Sequence, residues 1–426
     1  MEENKDTYKI TEKWGFRQNP YDKNELREEV IEKLFVGRRE EISEFFRTLN
    51  SGNNAFCIEG GFGVGKSSFF NICIHKIKKE YRGDIIDTTQ IDMATQETTH
   101  DFLRVISNYV GNAIYKESKS HEGWKDYQDI IDDLIGNQKT NITSTGLNGG
   151  LSAGLAIKAT RSKATSTTKG GSNIPSLMIE NLSAIGKICQ QKSKKILVPF
   201  ENMEKAKLEG HSEKCVEFVK PLRKLIFDNN FIFIFIGDVG LREFFDRSGM
   251  LRSVIGNSIV LEKLSIDEYD SAITRRLDYF KTDKLQYTVP FANDIIKYVY
   301  EKSEGDIRWG FNFLNRLFEK IMTKDVKKYS LNDKIIRENI YYFTKARYNA
   351  LSESEKKVLD KLMEIEEPLS PSDEKLQKAC NLTQSTLQKM LSELAKNPEI
   401  IKKNERGRKH LYELGYEAKI YKEFEK

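Results

Sequence analysis

The chain has little of what would mark a metal, disulfide or membrane protein. Its five cysteines (Cys57, Cys73, Cys189, Cys215, Cys380) lie far apart with no CxxC pair, and its five histidines are equally scattered. Neither a disulfide framework nor a zinc site is suggested. No apolar run approaches the roughly 18 residues of a membrane span, and the first ten residues are polar and acidic with no apolar targeting core. The expectation is a soluble, cytoplasmic protein with no membrane partner. Excess charge of one sign is also missing: 69 Lys+Arg against 64 Asp+Glu leave only +5 over 426 residues. A surface that is basic throughout is excluded, and any basic patch must be local. What is present is length for about three domains at roughly 150 residues each. With 38% apolar and 31% charged residues, the composition is polar but able to fold.

The first 30 residues read as a polar leader with one aromatic patch, Trp14-Gly-Phe16-Arg-Gln-Asn-Pro20-Tyr21, where Pro20 argues against a helix. From Phe35 the pattern gives a turn, Val36-Gly37-Arg38, then a helix with apolar spacing at Ile42, Phe45, Phe46 and Leu49. Ala55–Ile58, Ile85-Ile86 with Ile91, Ile196–Val198 and Phe231–Ile236 are short, continuous apolar runs separated by helical stretches. That is the pattern of buried parallel strands in an α/β domain. Residues 140–172 hold 18 Gly, Ser or Thr, four Lys or Arg and no acid. Strict alternation from Leu151 to Thr160 suggests a β-hairpin insertion followed by a linker, either a solvated projection or a basic one touching a partner. After Ile266 the chain reads as helical, with helices near 267–280, 291–304 and 307–323.

The sharpest motif is Gly60-Gly61-Phe62-Gly63-Val64-Gly65-Lys66-Ser67, followed by Ser68, which matches G-x-x-x-x-G-K-[ST]. The glycines let successive N–H groups point at phosphate oxygens. Lys66 supplies a point charge for the β- and γ-phosphates, the Ser67 hydroxyl is placed to ligate Mg²⁺, and the following helix adds its N-terminal dipole. ATP with Mg²⁺ is the expected ligand. The dinucleotide fingerprint is excluded, since it needs glycine where Lys66 stands.

Such a site needs an acidic element at the end of a neighbouring strand. The candidate is Glu201, as a second metal ligand, with Asn202 where a water-activating acid is expected. Asn202 can orient a water but cannot accept its proton. Slow hydrolysis is therefore expected, and a solvated helix start remains the alternative for Glu201 and Glu204. Asp238, at the end of the Phe231 run, stands where a polar sensor of the γ-phosphate belongs. Of Arg242, Arg247 and Arg252, spaced by five, Arg247 and Arg252 are the candidates for an arginine supplied across a subunit boundary. Arg308, in Glu304-Gly-Asp-Ile-Arg308, sits at a helix start, from which it can couple nucleotide state to a lid.

In order, Phe35–Glu40, the phosphate loop, the strand end at 198–204, the run 231–238, Leu264-Ser-Ile-Asp-Glu268 and Gly305–Arg308 resemble the AAA+ ATPases of the replication-initiator, origin-recognition-like type. That grouping shades into the STAND signalling ATPases. The resemblance spans roughly 30–340 and implies that Val36, Gly37 and Arg38 contribute to the adenine pocket and Arg308 acts as the second sensor. It also implies a homo-oligomer formed on ATP binding. The fold expected is α/β: a three-layer αβα P-loop NTPase core with a parallel sheet (31–265), an all-helical lid (266–345) and a C-terminal winged helix (351–426).

Residues 354–364, 373–380 and 384–396 read as three short helices, followed by two strand-like runs, and resemble a winged helix over 351–415. Gln384, Ser385, Gln388 and Lys389 on the third helix are able to reach base edges or phosphates of double-stranded DNA. Arg406, Arg408 and Lys409 lie in a wing whose residues 402–409 hold five Lys/Arg against one Glu. Two functions follow: a nucleotide-controlled DNA-binding switch in replication initiation, mobile-element biology or phage defence, or a STAND-like sensor that binds a protein partner and oligomerises on ATP. In the second, the winged helix is a spacer.

Overall fold

The computed structural model describes residues 14–22, 26, 28–81, 84–96, 98–120, 174–203, 212–282, 289–322, 333–365, 367–397, 399–406 and 409–425. The insertion expected at 140–172 and Arg408 lie outside them. The chain divides into two compact units, one of residues 38–62 and 66–262, the other of 1–37, 63–65 and 263–426. Among the described residues, no helix is long and apolar enough to cross a membrane.

The first unit is an α/β layer structure. Its strands are β1 (Ala55–Gly60), β2 (Ile85–Asp87), β3 (Ile91–Asp92), β4 (Lys195–Glu201), β5 (Phe231–Gly237) and β6 (Ser258–Leu261). They order β2-β4-β5-β1-β6, with β3 also beside β4, and every pairing is parallel. Strand β5 is buried along its whole length, which is why its sequence is apolar without alternation. Its Phe233 and Phe235 stack on Phe200 of β4 at 6.0 and 5.3 Å between ring centroids. That face is closed by helices Thr99–Ser120 and Ile174–Gln191, whose Phe102, Leu103, Ile106, Leu182 and Ile185 belong to the same cluster. On the other face Phe56 of β1 meets Phe45 of helix Arg39–Asn50 at 5.5 Å, and Phe45 meets Phe69 of helix Lys66–Glu80 at 6.3 Å. Strand β6 was not foreseen: its four residues, Ser-Ile-Val-Leu, are too short a run to stand out.

In the second unit, helices Ile266–Phe280, Asn293–Ser303 and Ile307–Met322 share one apolar cluster with helix Asp333–Asn349. Ser265 and Glu268 form a reciprocal capping box at the first of them. The aromatic patch of the leader belongs to this cluster. Trp14, Phe16 and Tyr21 are buried and surround Phe318 at 5.8, 6.2 and 5.7 Å. Phe16 bridges Lys281 in antiparallel fashion, with Arg17 N–H donating to the Phe280 carbonyl at 2.7 Å. An extended segment, which Pro20 favours, can make these backbone bonds and a helix cannot.

The C-terminal part has helices Glu353–Ile365, Glu374–Cys380 and Gln384–Leu394, then an antiparallel hairpin of β7 (Ile401–Arg406) and β8 (Lys409–Leu414). Leu369 and Tyr412 exchange backbone hydrogen bonds of 2.9 and 2.8 Å, which adds a third extended segment to the hairpin. Asp373 and Thr383 cap the second and third helices. A final helix, Tyr416–Glu425, returns to the helical cluster. Its Tyr416 packs on Trp309 at 4.9 Å, and its buried Glu417 pairs with Arg316 at 2.7 Å and Arg347 at 3.0 Å.

Phe16 is fully buried in this cluster, so Phe16→Ala should destabilise the second unit by about 3–5 kcal/mol. Chemical denaturation of the full chain checks it, and an unchanged midpoint would show that the patch is not part of the core.

Candidate nucleotide site

Strand β1 ends at Gly60, and helix Lys66–Glu80 begins six residues later. Between them Gly63 and Gly65 take φ of 78° and 94°, a region closed to most side chains. A Cβ on Gly63 would fall 2.0 Å from an oxygen of Asp306, so the loop admits only glycine there. Lys66 Nζ donates to the Gly60 carbonyl at 2.7 Å and the Gly61 carbonyl at 3.2 Å, and pairs with Asp238 at 3.2 Å. The ammonium is thus held over the loop by weak carbonyl acceptors and one half-exposed carboxylate. Phosphate oxygens are stronger acceptors for the same charge. Phe62 is largely exposed at the loop's tip, and Val64 is buried. Ser67 and Ser68 occupy the first turn of the helix.

Immediately before the loop is a residue the sequence reading passed over. Glu59 is 4% exposed, and its carboxylate accepts from the backbone N–H groups of Gly240 (2.7 Å) and Arg242 (2.8 Å) and from the Ser258 hydroxyl (2.6 Å). It joins β1 to β6 and to the start of helix Leu241–Asp246. A lone Glu inside an apolar run was the available signal.

The carboxyl ends of the parallel strands line up along one edge. Asp92 is in register with Glu201, Phe200 with Phe235, and Glu59 with Gly237. The structure therefore brings Glu201, Asn202, Asp238 and Lys66 to one edge of the sheet. Such edges are where open parallel sheets bind ligands. The Gln90 amide lies between Asn71 and Glu201: its nitrogen donates to Asn71 at 3.2 Å, and turned end for end it would donate to both Glu201 carboxylate oxygens at 3.0 and 3.2 Å. Asn202 adopts φ of 57° and donates to Asp92 at 2.8 Å. Asp92 was not anticipated, because its strand is only two residues long, and Gln90 lies just outside that strand.

Other candidates have structural partners. Arg38 is buried at φ 62°, bonded to Glu41 and to the Glu262 carbonyl. Neighbouring Val36 is half-buried, and Gly37, at φ 73°, abuts Glu268 so closely that a Cβ would clash. Arg242 is engaged by Asp246 and by the Gly256 and Arg252 carbonyls. Arg247 and Arg252 are exposed on the surface of the first unit. In the second unit Arg308 is exposed in the first turn of its helix. That helix is capped by buried Asp306, which accepts from Trp309 N–H at 2.9 Å. Burial pushes the Asp306 carboxyl above its usual range, against the opposing charges of Lys402, Arg308 and Lys263. Farther along, Gln384, Ser385 and Lys389 are exposed and Gln388 half-exposed on helix Gln384–Leu394. Arg406 and Lys409 are register partners across the hairpin. Lys402, counted in the basic wing, instead pairs with Glu304 at 3.1 Å and lies 3.4 Å over the Tyr416 ring.

A glycine loop between strand and helix, a lysine over it and acids on adjacent strand ends define a P-loop NTPase core, here joined to a helical unit and a three-helix-and-hairpin module. No family model matches the sequence, and no curated protein matches it. The chain is similar, at low identity, to several solved structures. They include the Aeropyrum pernix ORC2 protein (13% identity, 95% of this chain and 96% of that one, TM-score 0.49). The Aeropyrum pernix ORC1 protein in complex with DNA is 14% identical over 92% of this chain and 94% of that one, with a TM-score of 0.45. The Walker-type ATPase of Pyrococcus abyssi is 14% identical over 94% of this chain and 99% of that one, with a TM-score of 0.47. The likeness concerns the fold.

Lys66→Ala should weaken ATP binding by about 100-fold or beyond detection, because the loop loses its only side-chain cation. Titration calorimetry checks this, and an affinity equal to wild type overturns the site assignment.

Proposed function

We propose that the chain is an ATP-binding ATPase whose nucleotide state controls its grip on double-stranded DNA. The observation that carries this reading is Lys66, held over a glycine loop whose φ values only glycine tolerates, at the carboxyl edge of a parallel sheet. The Ser67 hydroxyl and the Glu201 carboxylate are hard oxygen donors on that edge. Two such ligands with nucleotide phosphates make an ordinary Mg²⁺ site, and the ion would spread the charge that builds on the phosphates. Lys66 binds the phosphates, the loop N–H groups orient them, and Asp238, released from Lys66, faces the terminal phosphate.

DNA binding is supported by the exposed Gln384, Ser385 and Lys389 and by the order of helices and hairpin around them. A second reading, the STAND-like sensor with a protein partner, draws support from Lys402 and Lys419. Both are committed to Glu304, so part of the basic charge holds the hairpin's base to the helical cluster.

Retention on duplex DNA as a function of salt, with and without ATP, separates the two. Replacing Arg406, Arg408 and Lys409 with alanine should weaken binding for any sequence and flatten log affinity against log salt by about 2–3 units. Changing Gln384 and Gln388 should alter sequence preference and leave that slope alone. A wild-type protein that does not bind duplex DNA at low salt with ATP present would leave the signalling reading. Light scattering tests assembly: ATP should raise the molecular mass, and alanine at both Arg247 and Arg252 should reduce the turnover of the assembled protein. The same mass with and without ATP counts against a shared site.

A further inference from the structure

We propose that Asp92 is the general base for the attacking water, the role that Asn202 cannot fill. The inference rests on the ATPase reading above. Asp92 ends β3, and Glu201 ends β4 directly beside it in register. The next residue, Asn202, turns into the left-handed region at φ 57° and donates its amide Nδ2 to Asp92 Oδ1 at 2.8 Å. The same oxygen accepts from Ala94 N–H at 2.9 Å. Two donors on one oxygen fix the rotation of the carboxylate, on a residue exposed to solvent at the strand edge. Asp92 is thus held by the residue that follows the candidate metal ligand Glu201 and that stands where a base is expected.

The distribution of side chains explains an oddity of the sequence. Asn202 supplies the amide and the adjacent strand supplies the carboxylate, so the pair holds both a base and its orienting donor. In the step, one O–H bond of the water breaks and its proton passes to the Asp92 carboxylate. The water oxygen forms a bond to the γ-phosphorus. The bond from that phosphorus to the bridging oxygen breaks, its electron pair remaining on the departing ADP. Asp92 then returns the proton to solvent. Slow hydrolysis, expected from Asn202 alone, is not required when Asp92 takes the proton.

The test measures ATP affinity and single-turnover hydrolysis, with and without duplex DNA, for the full-length wild type, Asp92→Asn and Asp92→Ser. Both substitutions keep an oxygen that can accept from Ala94 N–H, and both remove the base. The expected result is unchanged ATP affinity and a hydrolysis rate lower by about 100-fold or more. A rate within about threefold of wild type, in variants that bind ATP normally, overturns the role of Asp92 and leaves the nucleotide site intact. Wild-type protein that binds ATP but never hydrolyses it has the same meaning. Failure of the wild type to bind ATP removes the nucleotide reading and Asp92's role together. Should Asp92→Asn fold poorly, as judged by its melting temperature, Asp92→Ser decides the question.

Discussion

The first unit depends on one buried carboxylate. Glu59 lies on β1, between β5 and β6 and one residue before the phosphate loop, and a buried charge there is tolerable only when hydrogen-bonded. Three donors complete them, from Gly240, Arg242 and Ser258. They come from two places, the turn Gly240–Arg242 and Ser258, so the bonds hold β6 and the helix after β5 against β1. The loop's position follows from this, because Gly60 is the last residue of the strand that Glu59 fixes. The carbonyls of Gly60 and Gly61 that hold Lys66 are therefore set from below by a salt-free polar knot.

The second unit shows the same economy at another scale. Glu417 and Asp306 are both buried acids in polar surroundings. Glu417 is flanked by Arg316 and Arg347, and Asp306 closes a helix start while lying against Gly63. Glu304, two residues before Asp306, binds Lys402 and Lys419. One short turn, Glu304–Asp306, thus meets the phosphate loop's Gly63, the hairpin and the final helix.

Charge is spent locally throughout. Arg38, Arg242 and Lys402 are all taken up by carboxylates or carbonyls of the fold itself. The near balance of 69 Lys+Arg and 64 Asp+Glu fits such local pairing.

Much of this was legible in the residues. Continuous apolar runs such as Phe231–Ile236 announce buried parallel strands, because only a strand covered on both faces loses its alternation. The phosphate loop is legible because its glycines stand where the backbone turns to positive φ, at Gly63 and Gly65, with Lys66 at fixed spacing after them. Those features are local: a turn, a cap or a strand is decided by neighbours in the chain. What remained closed to the sequence was contact between distant segments. Nothing in Trp14, Phe16 and Tyr21 says that they will surround Phe318, and nothing in a two-residue strand says that Asp92 will stand beside Glu201. Nor does a lone Glu59 declare its three donors. Those pairings are fixed by strand register and by the burial of apolar faces, which arise only when the whole chain competes for the same core. The sequence by itself determined the long buried strands, most helices and the phosphate loop; the tertiary structure alone decided which carboxylate meets Asn202.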